Sequence, residues 1–218
     1  MASAPSFHLN HYRETLTDYI NADYFLGSFE DILGQEPSEK YAILRHDVDY
    51  SLESALKMAR IENELGVNSS FFVRVHAKGY NPFSLINYNV LKEIISMGHE
   101  IGLHLEPSMP LATGEDPTHF CNRQREVLES IIDKEISGIA AHEPSRIDGS
   151  EIVSELVSDW GLQYHAYEPR FFSEIKYISD SGARWREGCF STWVNKEDKL
   201  QILTHPHWWF ENFSQENY

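Results

Sequence analysis

From residue 41 onward, short apolar runs alternate with stretches of helical periodicity, and nearly every run ends in ionisable side chains. The runs are 41–46 (YAILRH), 67–75 (VNSSFFVRV), 99–104 (HEIGLH), 138–142 (GIAAH), 162–167 (LQYHAY), 174–179 (EIKYIS) and 199–205 (KLQILTH). Between the first five lie helical faces: Leu52, Ala55, Leu56 and Ala59 after a capping Ser51, then Val90, Leu91, Ile94 and Ile95. The next are Val127, Leu128, Ile131 and Ile132 within 118–134, and Ile152, Val153, Leu156, Val157 and Trp160. Gly66, Gly98 and Gly161 stand between a helix and the next strand, as αβ loops require. Alternating β and α elements imply a parallel sheet with helices outside it. The rhythm fits a closed or nearly closed barrel and an open doubly wound sheet equally well.

Ahead of this pattern, Leu16, Tyr19, Ile20, Tyr24, Phe25, Phe29 and Leu33 predict one helix over 12–33, closed by Gly34 and Pro37. No linker, low-complexity segment or repeat divides the chain. Residues 1–218 therefore read as a single domain, with 12–37 as an N-terminal helical extension and 40–210 as the body.

Composition narrows the function. The 218 residues include 34 acidic and 18 basic side chains, a formal charge of −16, with 41 % hydrophobic residues. That supports one sizeable core. It disfavours nucleic acid and anionic membrane surfaces as partners. No apolar run reaches membrane-spanning length, so no membrane insertion is expected. The opening MASAPSFHLN lacks a basic and an apolar signal region, and Cys121 and Cys189 have neither metal nor redox spacing. Together these lead to the expectation of a cytoplasmic protein with free thiols. Nothing in the sequence signals an oligomeric state.

The strand ends carry the chemistry. They bring Arg45, His46, Asp47 and Asp49; Arg74 and His76; His104 and Glu106; His142 and Glu143; Tyr167 and Glu168; Asp180; and His205 and His207. In parallel α/β folds the carboxyl ends of the strands converge on one mouth, where active sites sit. Carboxylates and imidazoles gathered there suit a divalent metal such as zinc. Asp47 and Asp49, two apart, point the same way if extended. One would bind metal while the other takes a proton from water, and an imidazole such as His205 would protonate a leaving group. An Asp-x-Asp pair also occurs as a turn or a helix cap, and Asp49 just before Ser51 fits that reading too. His104 also fits a core histidine. His99 opens its strand at the far end and reads as structural, and His8, His11, His119 and His165 read as surface or packing residues. Trp208 and Trp209 suit a core plug or a sugar-stacking platform.

In order along the chain, RHDVD, GHEIGLH, HEPS, DSGARW and ILTHP resemble the motifs of polysaccharide deacetylases of the NodB-homology type, carbohydrate esterase family 4, over residues 40–210. The resemblance implies a distorted (β/α)7 barrel with an extra N-terminal helix, and metal-dependent removal of N-acyl groups from amino sugars. It implies Asp47 as base, Asp49 and His104 as metal ligands, and His205 as acid. It implies Asp180 and Trp185 as the segment that supports the acid and lines the pocket. Two departures stand out. Ser108 occupies the place of the family's next ligand histidine, and His142-Glu143-Pro144 replaces an Arg-x-Pro whose arginine holds the base. His142 is the first candidate to complete the set Asp49, His104, His142, and Glu106 is the second.

The leading expectation is thus a zinc-type hydrolase acting on an amide of an amino sugar. The expected partner is a small-molecule, nucleotide-linked or lipid-linked sugar, with Arg45, Arg74 or Arg146 meeting a phosphate. Arg45, Glu106, Asp180, Trp185 and Trp208 are the candidate substrate-binding residues. The rival is a non-catalytic carbohydrate-binding relative that stacks sugar on Trp185, Trp208 and Trp209. A third reading is a structural α/β protein whose strand-end groups bond one another.

Overall fold

A computed structural model of the chain describes residues 7–34, 39–106, 109–143 and 150–217. Pro37, Ser108, Pro144 and Arg146 lie outside them. Eight strands form one sheet: β1 (Phe25–Gly27), β2 (Tyr41–Val48), β3 (Ser70–Val73), β4 (Glu100–Leu105), β5 (Gly138–Ala141), β6 (Tyr164–His165), β7 (Lys176–Ser179) and β8 (Lys199–Thr204). Seven of them follow the order β6-β5-β4-β3-β2-β8-β7, β1 joins β2 off this path, and every ladder is parallel. The sheet curls into a half-barrel with helices on its outer face, the distorted (β/α) barrel expected from the motifs. All seven expected strands are present.

The N-terminal segment differs from expectation. The single helix over 12–33 is divided into α1 (Leu9–Asn21), the short β1 and α2 (Phe29–Gly34). β1 pairs with the first half of β2, Phe25 opposite Tyr41 and Gly27 opposite Ile43, while β3 pairs with the second half from Arg45 on. Ladder bonds to β2 outweigh the helical periodicity of Tyr24, Phe25 and Phe29.

Five helices cover the strand connections: α3 (Leu52–Glu64), α4 (Leu85–Ser96), the short α5 (Met109–Thr113), α6 (Pro117–Ile132) and α7 (Ser150–Trp160). Ser51, Ser84 and Asp116 each accept a backbone N–H of the first turn of α3, α4 and α6. Gly66, Gly98 and Gly161 have positive φ, which turns the chain from helix to strand. A one-turn helix, α8 (Pro169–Phe172), follows β6.

The two faces of the strands differ in content, because side chains alternate. Outward residues such as Phe71, Leu103 and Ile139 pack on Ala55, Leu91, Leu128 and Leu156, and Leu44, Leu200 and Ile202 pack on Leu16, Phe190 and Trp209. Inward, Phe29, Ile43, Phe72, Ala140, Tyr164 and Phe171 fill the lower barrel. One outward residue of β2 is polar. His46 contacts Glu62 of α3 at 2.7 Å and Thr204 of β8 at 2.7 Å. Glu62 also accepts from Tyr12 of α1 at 2.5 Å and from Ser69 at 2.6 Å, and all of these side chains are buried. His99, read as structural, lies in the same cluster and reaches the Ala59 carbonyl. No helix among the described residues is long and apolar enough to cross a membrane.

At the barrel floor, Glu100 accepts hydrogen bonds from Ser70, Tyr164 and the Glu30 backbone. Burial pushes its carboxyl up to about 7. A raised folded-state value favours the protonated form, so the stabilisation is complete below the ordinary carboxylate range and is lost as pH rises through about 7. Denaturant unfolding of the native chain and Glu100→Gln should show this. The native chain loses on the order of 3 kcal/mol relative to the variant between pH 4.5 and pH 8. Parallel pH profiles for the two proteins would contradict it.

Candidate metal centre and catalytic groups

The inward face of β2 runs Ile43, Arg45, Asp47 and on to Asp49 just beyond the strand, so the two aspartates do share a face. Register places His104 of β4 and His142, just past β5, on the same inner side. A carboxylate oxygen of Asp49 and a ring nitrogen from each of these histidines lie within 4.8 Å of one another. Nε2 of His104 and Nε2 of His142 are 3.5 and 3.7 Å from Oδ1 of Asp49. A tetrahedron with zinc-to-nitrogen or zinc-to-oxygen bonds of 2.0–2.1 Å has edges of about 3.3 Å.

The surrounding groups aim these donors. His104 Nδ1–H donates to the Ala140 carbonyl at 2.9 Å, which leaves Nε2 as the free lone pair. Glu106 Oε2 sits 3.0 Å from His142 Nδ1, close enough for an ion pair though without hydrogen-bond geometry. Glu106 is also ion-paired with Arg74. Glu106 therefore backs His142 and is not itself among the converging donors. Asp49 Oδ1 is buried and takes no hydrogen bond, although Arg74 NH1 approaches to 3.6 Å. A buried carboxylate oxygen without a donor, faced by two imidazole lone pairs, fits a divalent cation of borderline softness.

Arg45, expected to meet substrate, is fully buried and turned inward. It grips Asp47 with two parallel bonds, Nε to Oδ1 at 2.9 Å and NH2 to Oδ2 at 2.8 Å. Two further N–H groups go to Gln201 Oε1 and the Tyr167 hydroxyl. Two residues apart on one strand, Arg45 and Asp47 share a face. An arginine on Asp47 is thus present, supplied by β2 and not by the segment after β5. Burial pushes the Asp47 carboxyl up, but Arg45 and His104 outweigh it and hold it below its ordinary value. Burial likewise opposes ionisation of Asp49, while His104, His205 and His142 hold it well below the usual carboxylate range.

His205, beyond β8, places Nε2 3.8 Å from Asp49 Oδ2. Its Nδ1 meets Asp180 Oδ1 at 2.6 Å, and its backbone N–H donates to the same carboxylate. Trp209 Nε1 donates to the other Asp180 oxygen. Burial pulls the His205 imidazolium down, yet Asp180, then Asp47 and Asp49, push it up to about 9.

These groups open on a cavity of about 590 Å3. Trp208 lines it with Tyr167, Phe172, Tyr177 and Arg186. Trp185 does not. Its ring lies in the core, stacked on Phe190 and edge-on to Trp209. Trp209 is fully buried as well. His46 faces away from the mouth, and His76 stacks on Phe120 outside the cavity lining. Sequence reasoning missed Tyr177, Gln201 and Arg186. Gln201 was legible in principle, since a polar residue inside an apolar strand, in register with inward Ile43, has to face the interior.

No protein-family model matches the chain, and no curated protein sequence does. Solved structures do resemble it. A family 4 carbohydrate esterase from Streptomyces lividans, in complex with acetate, has a TM-score of 0.53 at 11% identity, covering 82% of each chain. The polysaccharide deacetylase Bc1974 from Bacillus cereus has a TM-score of 0.54 at 15% identity, covering 77% of this chain and 79% of that one. A mutant of a family 4 pseudoenzyme from Bacillus anthracis, with restored enzymatic activity, has a TM-score of 0.53 at 15% identity. The likeness covers 78% of this chain but only 58% of the pseudoenzyme. At these identities the likeness is one of fold, the fold of the family 4 carbohydrate esterases and their pseudoenzymes.

The buried Arg45–Asp47 pair has a measurable signature. Arg45→Met strands a carboxylate and should cost about 3–5 kcal/mol in guanidinium unfolding, whereas the double variant Arg45→Met/Asp47→Leu should recover most of it. A single variant as stable as the native chain would show that the pair carries no such constraint.

Proposed function

We propose that this chain is a metal-dependent hydrolase that removes an N-acyl group from an amino sugar. The observation that carries the reading is the placement of an arginine-clamped carboxylate, Asp47, beside the converging donors of Asp49, His104 and His142. Asp180-backed His205 stands on the same cavity. Those three donors would hold the ion, most readily zinc, which when bound polarises the amide carbonyl and acidifies water. Asp47 accepts the proton of the attacking water. Its Oδ2 faces His104 Nε2 at 3.5 Å, so it lies at the edge of the donor set. Arg45 keeps that carboxylate ionised and fixed in direction. His205 carries its proton on Nε2, kept there by Asp180, and delivers it to the departing amine nitrogen. Aromatic walls at Tyr167, Phe172 and Trp208 exclude water and offer faces to a sugar ring.

A second reading, a sugar-binding relative without turnover, is favoured by one observation. The same fold occurs in a family 4 pseudoenzyme, so the fold does not guarantee the reaction.

Elemental mass spectrometry, joined to an acetate-release screen on N-acetylated amino sugars, separates the two. On the hydrolase reading, the native chain carries about one zinc or similar ion, Asp49→Ala loses it, and Asp47→Asn keeps it while losing roughly 100-fold or more in turnover. A native chain that takes up no metal from micromolar zinc would reject the hydrolase. Sugar binding that survives chelation, without acetate release, would then establish the second reading.

A further inference from the structure

Arg186 is the only lysine or arginine that lines the cavity among the described residues. It stands in the segment between β7 and β8, in the sequence Asp180-Ser-Gly-Ala-Arg-Trp-Arg-Glu-Gly188. Both of its neighbours are anchored. Trp185 is buried among aromatic rings, and Glu187 is ion-paired with Lys176. The start of the segment is pinned at Asp180, whose carboxylate holds His205 and Trp209. Gly182 and Ala183 both have positive φ, and Ala183 keeps a conformation that L residues rarely adopt.

The Arg186 side chain itself is exposed and makes no ion pair with any of the described residues. In a chain of net charge −16, every other described arginine except Arg184 is paired with a carboxylate. The other two cations expected to meet a phosphate are committed elsewhere, Arg45 to Asp47 and Arg74 to Glu106. Of the acidic residues lining the cavity, Asp47 is held by Arg45 and Glu187 by Lys176. Asp49 belongs to the donor set, and Glu143 follows His142 after β5. With its backbone anchored at the cavity wall, only the Arg186 side chain has to be ordered when it meets an anion, and its planar fork matches phosphate or carboxylate oxygens in pairs. A volume near 590 Å3 has room for a sugar ring together with an attached group.

We propose that the cavity takes an N-acylated sugar bearing an anionic group, a phosphate ester or a carboxylate, and that Arg186 determines this specificity. The proposal rests on the sugar-site reading above. The test compares affinities by calorimetry on the zinc-supplied full chain. The probes are N-acetylglucosamine, its 1-phosphate, its 6-phosphate and the matching uronic acid. The expected result is that at least one anionic sugar binds ten-fold or more tighter than the neutral one, that this ratio falls towards one in Arg186→Gln, and that Arg186→Lys keeps part of it. The probe that shows the preference separates phosphate from carboxylate. An anion preference that persists in Arg186→Gln but disappears in Asp49→Ala would place the anion at the metal donors and overturn the proposal. Equal affinities, or no binding of any anionic sugar at millimolar concentration, would overturn it too. If neutral N-acetyl sugars bind and turn over without any preference, only the anion proposal fails; if no sugar binds at all, the sugar-site reading fails with it.

Discussion

The clamp of Arg45 on Asp47 organises the interior. Burying a guanidinium and a carboxylate together is tolerable only when the charges are paired and hydrogen-bonded, and here four of the five N–H groups of Arg45 find acceptors among the described residues. One of those acceptors, Gln201 of β8, passes the connection on by donating to the carbonyls of Ala166 and Phe171. These bonds cross the opening of the half-barrel, because β6 and β7 are the two ends of the strand order. Another acceptor, Tyr167, is a wall of the cavity. The orientation of Asp47, the bridging of the open side and the shape of the mouth thus form one connected network.

A similar arrangement recurs at the histidines. Four histidines line the cavity, and three of them have a second ring nitrogen beside a named oxygen: the Ala140 carbonyl for His104, the Glu106 carboxylate for His142 and the Asp180 carboxylate for His205. The chemical difference among the partners matters. A neutral carbonyl fixes a tautomer, whereas the buried Asp180 carboxylate stabilises an imidazolium. Neighbouring His207 is pulled down to about 4 by burial and by His205, against the opposing pull of Asp49. Imidazoles two residues apart therefore differ in charge near neutral pH.

Much of this was legible in the sequence, because strands buried on both faces announce themselves as apolar runs and because Asp47, Asp49, His104 and His142 stand at run ends. The errors have physical causes. The periodicity of Tyr24, Phe25 and Phe29 matches a helix, and the ladder that makes β1 a strand comes from β2, fourteen or more positions away. Arg45 looked like a substrate residue because a charged group at a strand end usually is one. Its distance of two residues from Asp47 also allowed a bond along the same face, which burial then made obligatory. Trp185 belongs to a motif read as pocket-lining, yet its ring faces the core while the next residue, Arg186, faces the cavity. Run-end position alone does not say which face a residue takes, and so His46 was grouped with the mouth although it points the other way.

That outward-facing His46 ties the N-terminal helix to the chemistry. Glu62 receives hydrogen bonds from Tyr12 of α1 and Ser69, and it contacts His46, which lies between Arg45 and Asp47 in the chain. Thr204, the other contact of His46, immediately precedes His205. The two strands that lead to Asp47 and His205 are braced from behind by a helix far from the mouth. A chain cut down to its alternating β/α portion would leave a charged carboxylate short of a donor directly behind the wall that carries Asp47 and His205, so α1 serves as the keel on which that wall stands.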